Sequence, residues 1–249
     1  MGKNELTTKE SKGYLALADY DIGKAMAEEL AGMDVVFERI KIPSGGGTFF
    51  EIPNIETGDK DAVKVLSAVI LYHHALNVYF AKDYDGGGSP PACVSSDGYV
   101  GQGNPGVNCK KCPYNEFGSG KNDGKACQNR RRLFILREGE ILPMILSIPS
   151  KSLRTFERFV TAIVAKGGWC QNFVTNFTLV EAVNKGGKNY SQVRCAKGRD
   201  LSAEEIALIK QLSGQIEAHS QRFGYTEDEL NDEGPMIDHE TGEIIDPLT

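Results

Sequence analysis

The sequence predicts a mainly β protein with a few helices, of the α+β class. Three observations lead there: β-rich segments separated by glycine-rich turns, three segments whose apolar residues recur at helical spacing, and a block over 83–130 with few aliphatic side chains. Of the 249 residues, 40% are apolar and 25% are charged. This composition is typical of a globular chain that can bury a core.

Strand signals predict three hairpins and one further strand-rich stretch. The hairpins pair 35–42 with 48–52, 132–136 with 141–148, and 173–183 with 190–195. Residues 63–80 are rich in Val, Ile, Leu, Tyr and Phe. They favour strands with a bend or turn near His73 and His74.

Helix signals occur in three places. Residues 21–31 have apolar side chains near helical spacing. A second helix begins at Ser150 or Ser152 and ends before the glycines at 167–168, and its apolar stripe is Leu153, Phe156, Phe159, Val160 and Ile163. The last helix begins after Ser202, which forms a predicted capping box with Glu205. Leu201 and Ile206 complete the signal as a hydrophobic staple.

The chain divides into three parts by composition. Residues 1–34 form a predicted N-terminal helical segment, 35–222 form the strand-rich domain with the 83–130 block inserted, and 223–249 form a tail. The tail has 9 acidic residues and no Lys or Arg. Such a composition predicts disorder. One interpretation of the tail is that it only keeps the protein soluble.

Four of the six cysteines fall in the 83–130 block. Cys93, Cys109, Cys112 and Cys127 have the spacing Cys-x15-Cys-x2-Cys-x14-Cys, which predicts one structural Zn²⁺ in a closed four-thiolate shell. A 48-residue block without a core needs such a source of stability. A redox-active Cys109-x2-Cys112 pair and unliganded thiols are the alternatives.

The remaining candidate ligands are assigned to the core or the surface. Cys170 and Cys195 lie in strand-rich sequence and are interpreted as small buried apolar residues. A strand directs His73 and His74 to opposite faces, so they do not share one ion. Neither a signal sequence nor an 18-residue apolar run is evident, so we expect a cytoplasmic protein without membrane partners.

Charge is segregated along the chain. The formal net charge is −6, but residues 110–199 carry 17 basic and 6 acidic side chains and residues 200–249 carry 2 and 13. Cations that neutralise phosphates, interleaved with aromatic rings that stack bases, are typical of single-strand binding. A solvated lysine surface is the alternative. The predicted nucleic-acid contacts are Lys110, Lys111, Tyr114, Phe117, Lys121, Arg130, Arg131, Arg132, Trp169, Lys185, Lys188, Tyr190 and Arg194.

The order of these features resembles phage single-stranded DNA-binding proteins. The resemblance extends over about 35–200, and its motifs are Pro-Pro-Ala-Cys at 90–93, Gly-Asn-Pro-Gly at 103–106, Cys-Lys-Lys-Cys-Pro at 109–113 and Lys-Ala-Cys-Gln-Asn-Arg-Arg at 125–131. These look like a phage replication-module protein of Gram-positive hosts. The resemblance implies an OB-like barrel with an inserted zinc module. It also implies DNA replication or recombination partners docked on the acidic tail, in a bacterial host cell.

Other functional classes remain as alternatives. A zinc deaminase would need a His-x-Glu signature and an ATPase a Gly-x-x-x-x-Gly-Lys-Ser/Thr loop, and neither is present, so we expect no enzyme. A protein-interaction or inhibitory zinc module and a strand-annealing recombination protein stay open. So do the oligomeric state and the choice of DNA over RNA.

Overall fold

The computed structural model describes residues 13–17, 28, 37–54, 57–81, 91–120, 123–184, 186–220, 236–237 and 244–245. These residues form the predicted α+β fold, in which strands predominate. The predicted helix over 21–31 and most of the 1–34 segment lie outside the described residues, as does most of the tail. No helix in the described part of the chain is long and apolar enough to cross a membrane.

Twelve strands and two α-helices are described, together with short 3-10 helices. The strands are β1 (Arg39–Ile40), β2 (Phe50–Pro53), β3 (Lys60–Val63), β4 (Val65–Tyr79), β5 (Cys93–Ser95), β6 (Gln102–Gly103), β7 (Cys127–Leu136), β8 (Met144–Ile148), β9 (Phe173–Val183), β10 (Asn189–Asp200), β11 (Met236–Ile237) and β12 (Ile244–Ile245). The α-helices are α1 (Ser150–Val164) and α2 (Ala203–Ser220).

The main sheet has the strand order β1-β8-β7-β4-β5-β6. The pairing of β7 with β8 and of β9 with β10 is antiparallel, which confirms the second and third predicted hairpins. Within the tail, β11 and β12 form an antiparallel pair.

The first predicted hairpin is confirmed only in part. β1 pairs in parallel with β8, and a single bridge between Lys41 and Glu51 joins it to β2. β2 instead pairs antiparallel with β3 across a tight turn, in which Gly58 N donates to Asn54 O over 2.9 Å. Gly58 has φ +74°, a conformation that favours glycine, so this turn closes more tightly than the long glycine loop before β2.

β4 is one continuous strand of 15 residues, so the predicted break near His73 and His74 is also wrong. Its pairing with β7 is regular from Tyr72 to Tyr79, and the irregularity falls between Ile70 and Tyr72. The strand continues because both of its faces are covered: the His73 ring packs on Phe156 of α1, and the His74 ring stacks near Phe134 on the other face.

The barrel expected from the resemblance is not closed among the described strands. The edges of the main sheet are β1 and β6, each only two residues long, and they do not pair with each other. β9 leaves the sheet by pairing with only the first four residues of β4. The sheet therefore branches at β4.

Two helices cover the sheet. The predicted apolar stripe of α1 packs on the largest core cluster, to which Phe156 belongs, and α2 packs on a second cluster with Leu201 and Ile209. The predicted capping box is confirmed: Ser202 N donates to Glu205 Oε2 over 2.9 Å, and Glu205 N donates to Ser202 Oγ over 3.2 Å.

Candidate metal centre and nucleic-acid interface

The cysteine module, residues 91–120 and 123–130 as described, is attached at the end of β4. Tyr79 is the register partner of Cys93 on one side and of Cys127 on the other. Neighbouring strands are about 4.8 Å apart, so these two cysteines lie roughly two strand spacings from each other. The sheet thus positions two of the four predicted ligands, one on each side of Tyr79.

The other two cysteines lie on a pair of 3-10 turns. Cys109–Lys111 forms one turn and Pro113–Asn115 the next. The Asn108 side chain accepts from Lys110 N over 3.0 Å and so caps the first turn. Asn115 Nδ2 donates to Cys109 O over 2.7 Å, which holds the two turns together. The Cys-x2-Cys spacing is therefore built into a compact loop.

All four cysteines line one small cavity. Its volume is about 10 Å³, close to the minimum of about 10–15 Å³ that holds one water molecule. Cys109, Cys112 and Cys127 are buried and Cys93 is half-buried. Burial, and then the nearby thiols of the other three, raises the pKa of the Cys127 thiol to about 12. The four sulfur atoms are thus close enough to interact electrostatically.

The described residues nevertheless contain no group of three or more His, Cys, Asp or Glu side chains positioned to hold a metal ion. The four thiols line one cavity from two strands and a pair of 3-10 turns. The donor set fits zinc by its chemistry, since four thiols with no other ligand type are a known structural zinc shell. Their positions fall short of coordination.

Two exposed aromatic rings of the module each lie close to a lysine ammonium group. Lys110 Nζ lies 5.6 Å from the ring centroid of Tyr99, and Lys125 Nζ lies 5.2 Å from that of Phe117. Tyr99 is 60% exposed and Phe117 is 82% exposed. Each site thus offers an accessible ring beside a positive charge.

The sequence predicts that Tyr114 stacks on a base, but its ring packs on another residue of the protein. It is half-buried and stacks on Tyr79, with ring centroids 4.0 Å apart and an interplanar angle of 15°. The side chain therefore joins the module to β4. Of the predicted module contacts, Lys110, Lys111 and Phe117 are exposed, and Lys121 lies outside the described residues.

The three consecutive arginines do not form one cationic surface. Arg130 and Arg132 are 4% and 2% exposed, so their prediction as surface contacts is wrong. They belong to β7, where successive side chains point to opposite faces. Both faces of this part of the sheet are covered, and only Arg131 remains half-buried.

The β9–β10 hairpin lies at the other end of β4. β9 pairs with Val65 to Ala68, whereas the module is attached at Tyr79. The 15 residues from Val65 to Tyr79 extend roughly 45 Å along a straight strand. The hairpin and the module are therefore two separate patches.

The hairpin patch contains several of the predicted contacts. Lys188 and Arg194 are exposed, and Tyr190 is half-buried under Lys151, whose Nζ is 5.3 Å from the ring centroid. Trp169, which follows α1, is 69% exposed. Lys185 lies outside the described residues.

Sequence reasoning missed Tyr99. Its signal was an aromatic residue in the polar loop Ser-Asp-Gly-Tyr-Val-Gly. Asp97 organises this loop: its Oδ1 accepts from Tyr99 N over 2.7 Å and from Val100 N over 3.0 Å. These backbone N–H groups lower the pKa of the Asp97 carboxyl. The loop therefore presents the Tyr99 ring from an ordered turn.

The two cysteines outside the module are less buried than the sequence suggested. Cys170 and Cys195 are half-buried and pack against the largest core cluster. Burial, and then the neighbouring Cys170 thiol, raises the pKa of Cys195 to about 12. At neutral pH both behave as small apolar side chains.

The chain matches no protein-family model, no curated protein and no solved structure. Fold and site together define a strand-rich α+β domain that carries a four-cysteine module with exposed cation and aromatic pairs.

Proposed function

We propose that the protein binds single-stranded DNA without catalysis and with little sequence preference, in DNA replication or recombination of the phage type. One observation carries this proposal: Tyr99 and Phe117, both exposed on the cysteine module, each have a lysine ammonium within 6 Å of the ring. An exposed ring stacks on any base, because every base has a π face. The adjacent lysine neutralises a phosphate of the same strand.

The arrangement favours single strands over duplexes. In a duplex the faces of the bases are occupied by their neighbours, so an aromatic side chain reaches them only after unstacking, which costs a few kcal/mol. A single strand offers these faces directly. The lysines contact phosphates in either form and supply the part of the affinity that depends on salt.

The same proposal includes one structural zinc ion. Cys93, Cys109, Cys112 and Cys127 would hold it as a closed thiolate shell, which leaves no position for a substrate and therefore argues against zinc catalysis. The ion would supply folding free energy to a module with few aliphatic residues. Binding would draw the thiols together from the positions they have around the cavity.

The acidic tail has a proposed role in the same function. Its 9 negative charges would compete with DNA for the cationic surface, and its apolar end would dock replication or recombination proteins. We propose that the protein acts in the cytoplasm of a bacterial host cell.

Fluorescence anisotropy tests the proposal. The full chain, loaded with zinc, is titrated into labelled oligonucleotides of the same sequence as single-stranded DNA, duplex DNA and single-stranded RNA at several salt concentrations. We expect the tightest binding to a single strand, with log K falling linearly with log salt by about 0.7 for each phosphate neutralised. Preference for the duplex, or no binding to either form at low salt, would reject the proposal.

A further inference from the structure

Arg131 of β7 is half-buried between the loop that carries Tyr99 and α1. Ala75 is its register partner in β4, and a Cβ atom placed on Gly98 would lie 2.9 Å from the Ala75 Cβ, so the loop that carries Tyr99 sits directly on this pair. On the other side, the His73 ring meets the edge of Phe156 of α1 at a centroid distance of 5.4 Å. We call this place the Arg131 recess, formed by His73, Ala75, Tyr99, Arg131 and Glu157.

The Arg131 guanidinium has a neutral hydrogen-bond partner. Its Nε donates to His73 Nδ1 over 2.9 Å. Burial, followed by the nearby Arg131 and His74, lowers the pKa of His73 to about 4, so the imidazole is uncharged at neutral pH and accepts this bond. His73 therefore fixes the orientation of the guanidinium without neutralising its charge.

In the described part of the chain, no carboxylate makes an ion pair with Arg131. Tyr72, Glu157 on α1 and Tyr99 act on it electrostatically, in that order of size, and none of the three is hydrogen-bonded to it. Charges withdrawn from water are normally paired. Nε and Nη2 both contact His73 Nδ1, so the donors left for an anion from outside are those of Nη1 and the second hydrogen of Nη2.

The surroundings indicate which kind of anion. Tyr99 at the rim is exposed and carries Lys110 beside its ring. On the α1 side, Arg154 lies three residues before Glu157 and four before Arg158, so these three exposed side chains share one helical face with a net positive charge. The Tyr99 ring, which can stack on a base, and several cations, which can bind phosphates, thus lie near the oriented guanidinium of Arg131.

We propose that Arg131 binds one backbone phosphate of the bound strand through its guanidinium fork, with a neighbouring base stacked on Tyr99. This inference rests on the proposed function and adds to it the place where the strand crosses the protein. His73 is a positioning residue, since it acts through Arg131. The strand passes between the cysteine module and α1, over the paired strands β4 and β7.

Anisotropy titrations with a labelled oligothymidine test the inference in the full chain. Arg131→Ala removes one phosphate contact, so we expect the dissociation constant to rise about tenfold at low salt and the salt slope to fall by about 0.7. Tyr99→Ser should raise the dissociation constant about tenfold with an unchanged slope, because stacking involves no counterion release. Arg131→Lys retains the charge but loses the fork, so we expect weaker binding with the slope of the unmodified chain.

Two matched controls are available. Lys210→Ala removes an exposed cation on α2, and Phe49→Ser removes a ring that is 47% exposed before β2. Neither side chain belongs to the Arg131 recess, so their dissociation constants should stay within about twofold of the unmodified chain, the range expected when no phosphate or base contact is lost.

Failure of the inference and failure of the proposed function give different results. If the unmodified chain binds single strands and both Arg131→Lys and Tyr99→Ser match the controls, the recess is not on the strand's path and the inference is overturned while the function stands. If the unmodified chain binds no single strand, the function itself fails. Thermal unfolding by circular dichroism checks the fold of Arg131→Ala, and where this variant unfolds the other two decide.

Discussion

Tyr114 stacks on Tyr79 with their ring centroids 4.0 Å apart and their planes 15° apart. Tyr79 ends β4 between Cys93 and Cys127, whereas Tyr114 follows the Cys109 and Cys112 turns. The stack therefore joins the two halves of the cysteine set through aromatic packing. It also explains why an aromatic residue among Gly, Asn and Lys is half-buried.

Loss of the Tyr114 ring should destabilise the module. We expect Tyr114→Ala to lower the free energy of unfolding by about 1 kcal/mol or more, because an aromatic pair contributes roughly 0.5–1.5 kcal/mol beyond the area it buries. Tyr114→Phe keeps the ring and serves as the control. Urea unfolding followed by circular dichroism measures both. Equal stability of the alanine variant and the unmodified chain would show that the stack does not hold the module.

Zinc should be present at one ion per chain and should be lost with any of the four module cysteines. Cys112→Ser removes one thiolate from the shell, so we expect metal analysis to find little zinc and limited proteolysis to cut within 91–130 while the paired strands β9 and β10 persist. Cys170→Ser, outside the module, should retain the ion. Protein prepared without chelator that contains four reactive module thiols and no zinc would contradict this prediction.

Stacking and charge should separate in the salt dependence of binding. Phe117→Ala removes a ring that is 82% exposed, so we expect a loss of about 1–3 kcal/mol in binding with the slope unchanged. Lys111→Ala removes an exposed cation from the same module and should lower the slope by about 0.7. Titrations between low and physiological salt measure both effects. A changed slope for Phe117→Ala would indicate a different mode of binding.

Trp169 provides an intrinsic probe because it is the single tryptophan in the chain. Its side chain is 69% exposed, and a base stacked on it would quench its fluorescence. If Trp169 contacts the strand, oligothymidine should quench the emission and Trp169→Phe should bind with nearly the same affinity as the unmodified chain. Inorganic polyphosphate is the control, since it has charge without bases. Unchanged emission at saturating oligothymidine would place Trp169 outside the interface.

Protonation of Glu205 should lower the free energy of unfolding in acid. Hydrogen bonds from the Arg199 guanidinium, at 3.0 and 2.9 Å, are the largest cause lowering the pKa of this carboxyl to about 2 from its ordinary 4.5. Burial opposes the effect, and the N–H groups of Ser202 and Tyr14 add to it. Because the folded pKa is depressed, the contribution is fully present above about pH 4.5 and is lost as the pH falls toward 2.

Glu205→Gln should therefore be less stable than the unmodified chain at neutral pH and should lose less stability between pH 4.5 and 2. Denaturant unfolding across this range measures the difference. Glu204→Gln, on the exposed side of the same helical turn, is the control. Parallel curves for the Glu205 variant and the unmodified chain would show that another group dominates acid unfolding.

Local sequence determined the elements whose signals depend on neighbouring residues. The capping box of Ser202 and Glu205, the stripe of α1 and the last two hairpins follow from spacing alone, because helix caps and short turns are built by residues close in the chain. The pairing of β1 with β8 joins residues about 100 positions apart, and no local pattern encodes it. The first predicted hairpin was therefore right only at its antiparallel bridge between Lys41 and Glu51.

The candidate site divides in the same way. The sequence by itself selected the four cysteines and the cationic block, because residue type and spacing carry that information. Tertiary structure decided which cations reach the surface: strand alternation and the coverage of both sheet faces bury Arg130 and Arg132 and leave Arg131 in a recess. It also decided that Tyr114 is half-buried and that Tyr99 is exposed. Tyr114 packs on the ring of Tyr79 at the end of β4, whereas β4 supplies no ring for Tyr99.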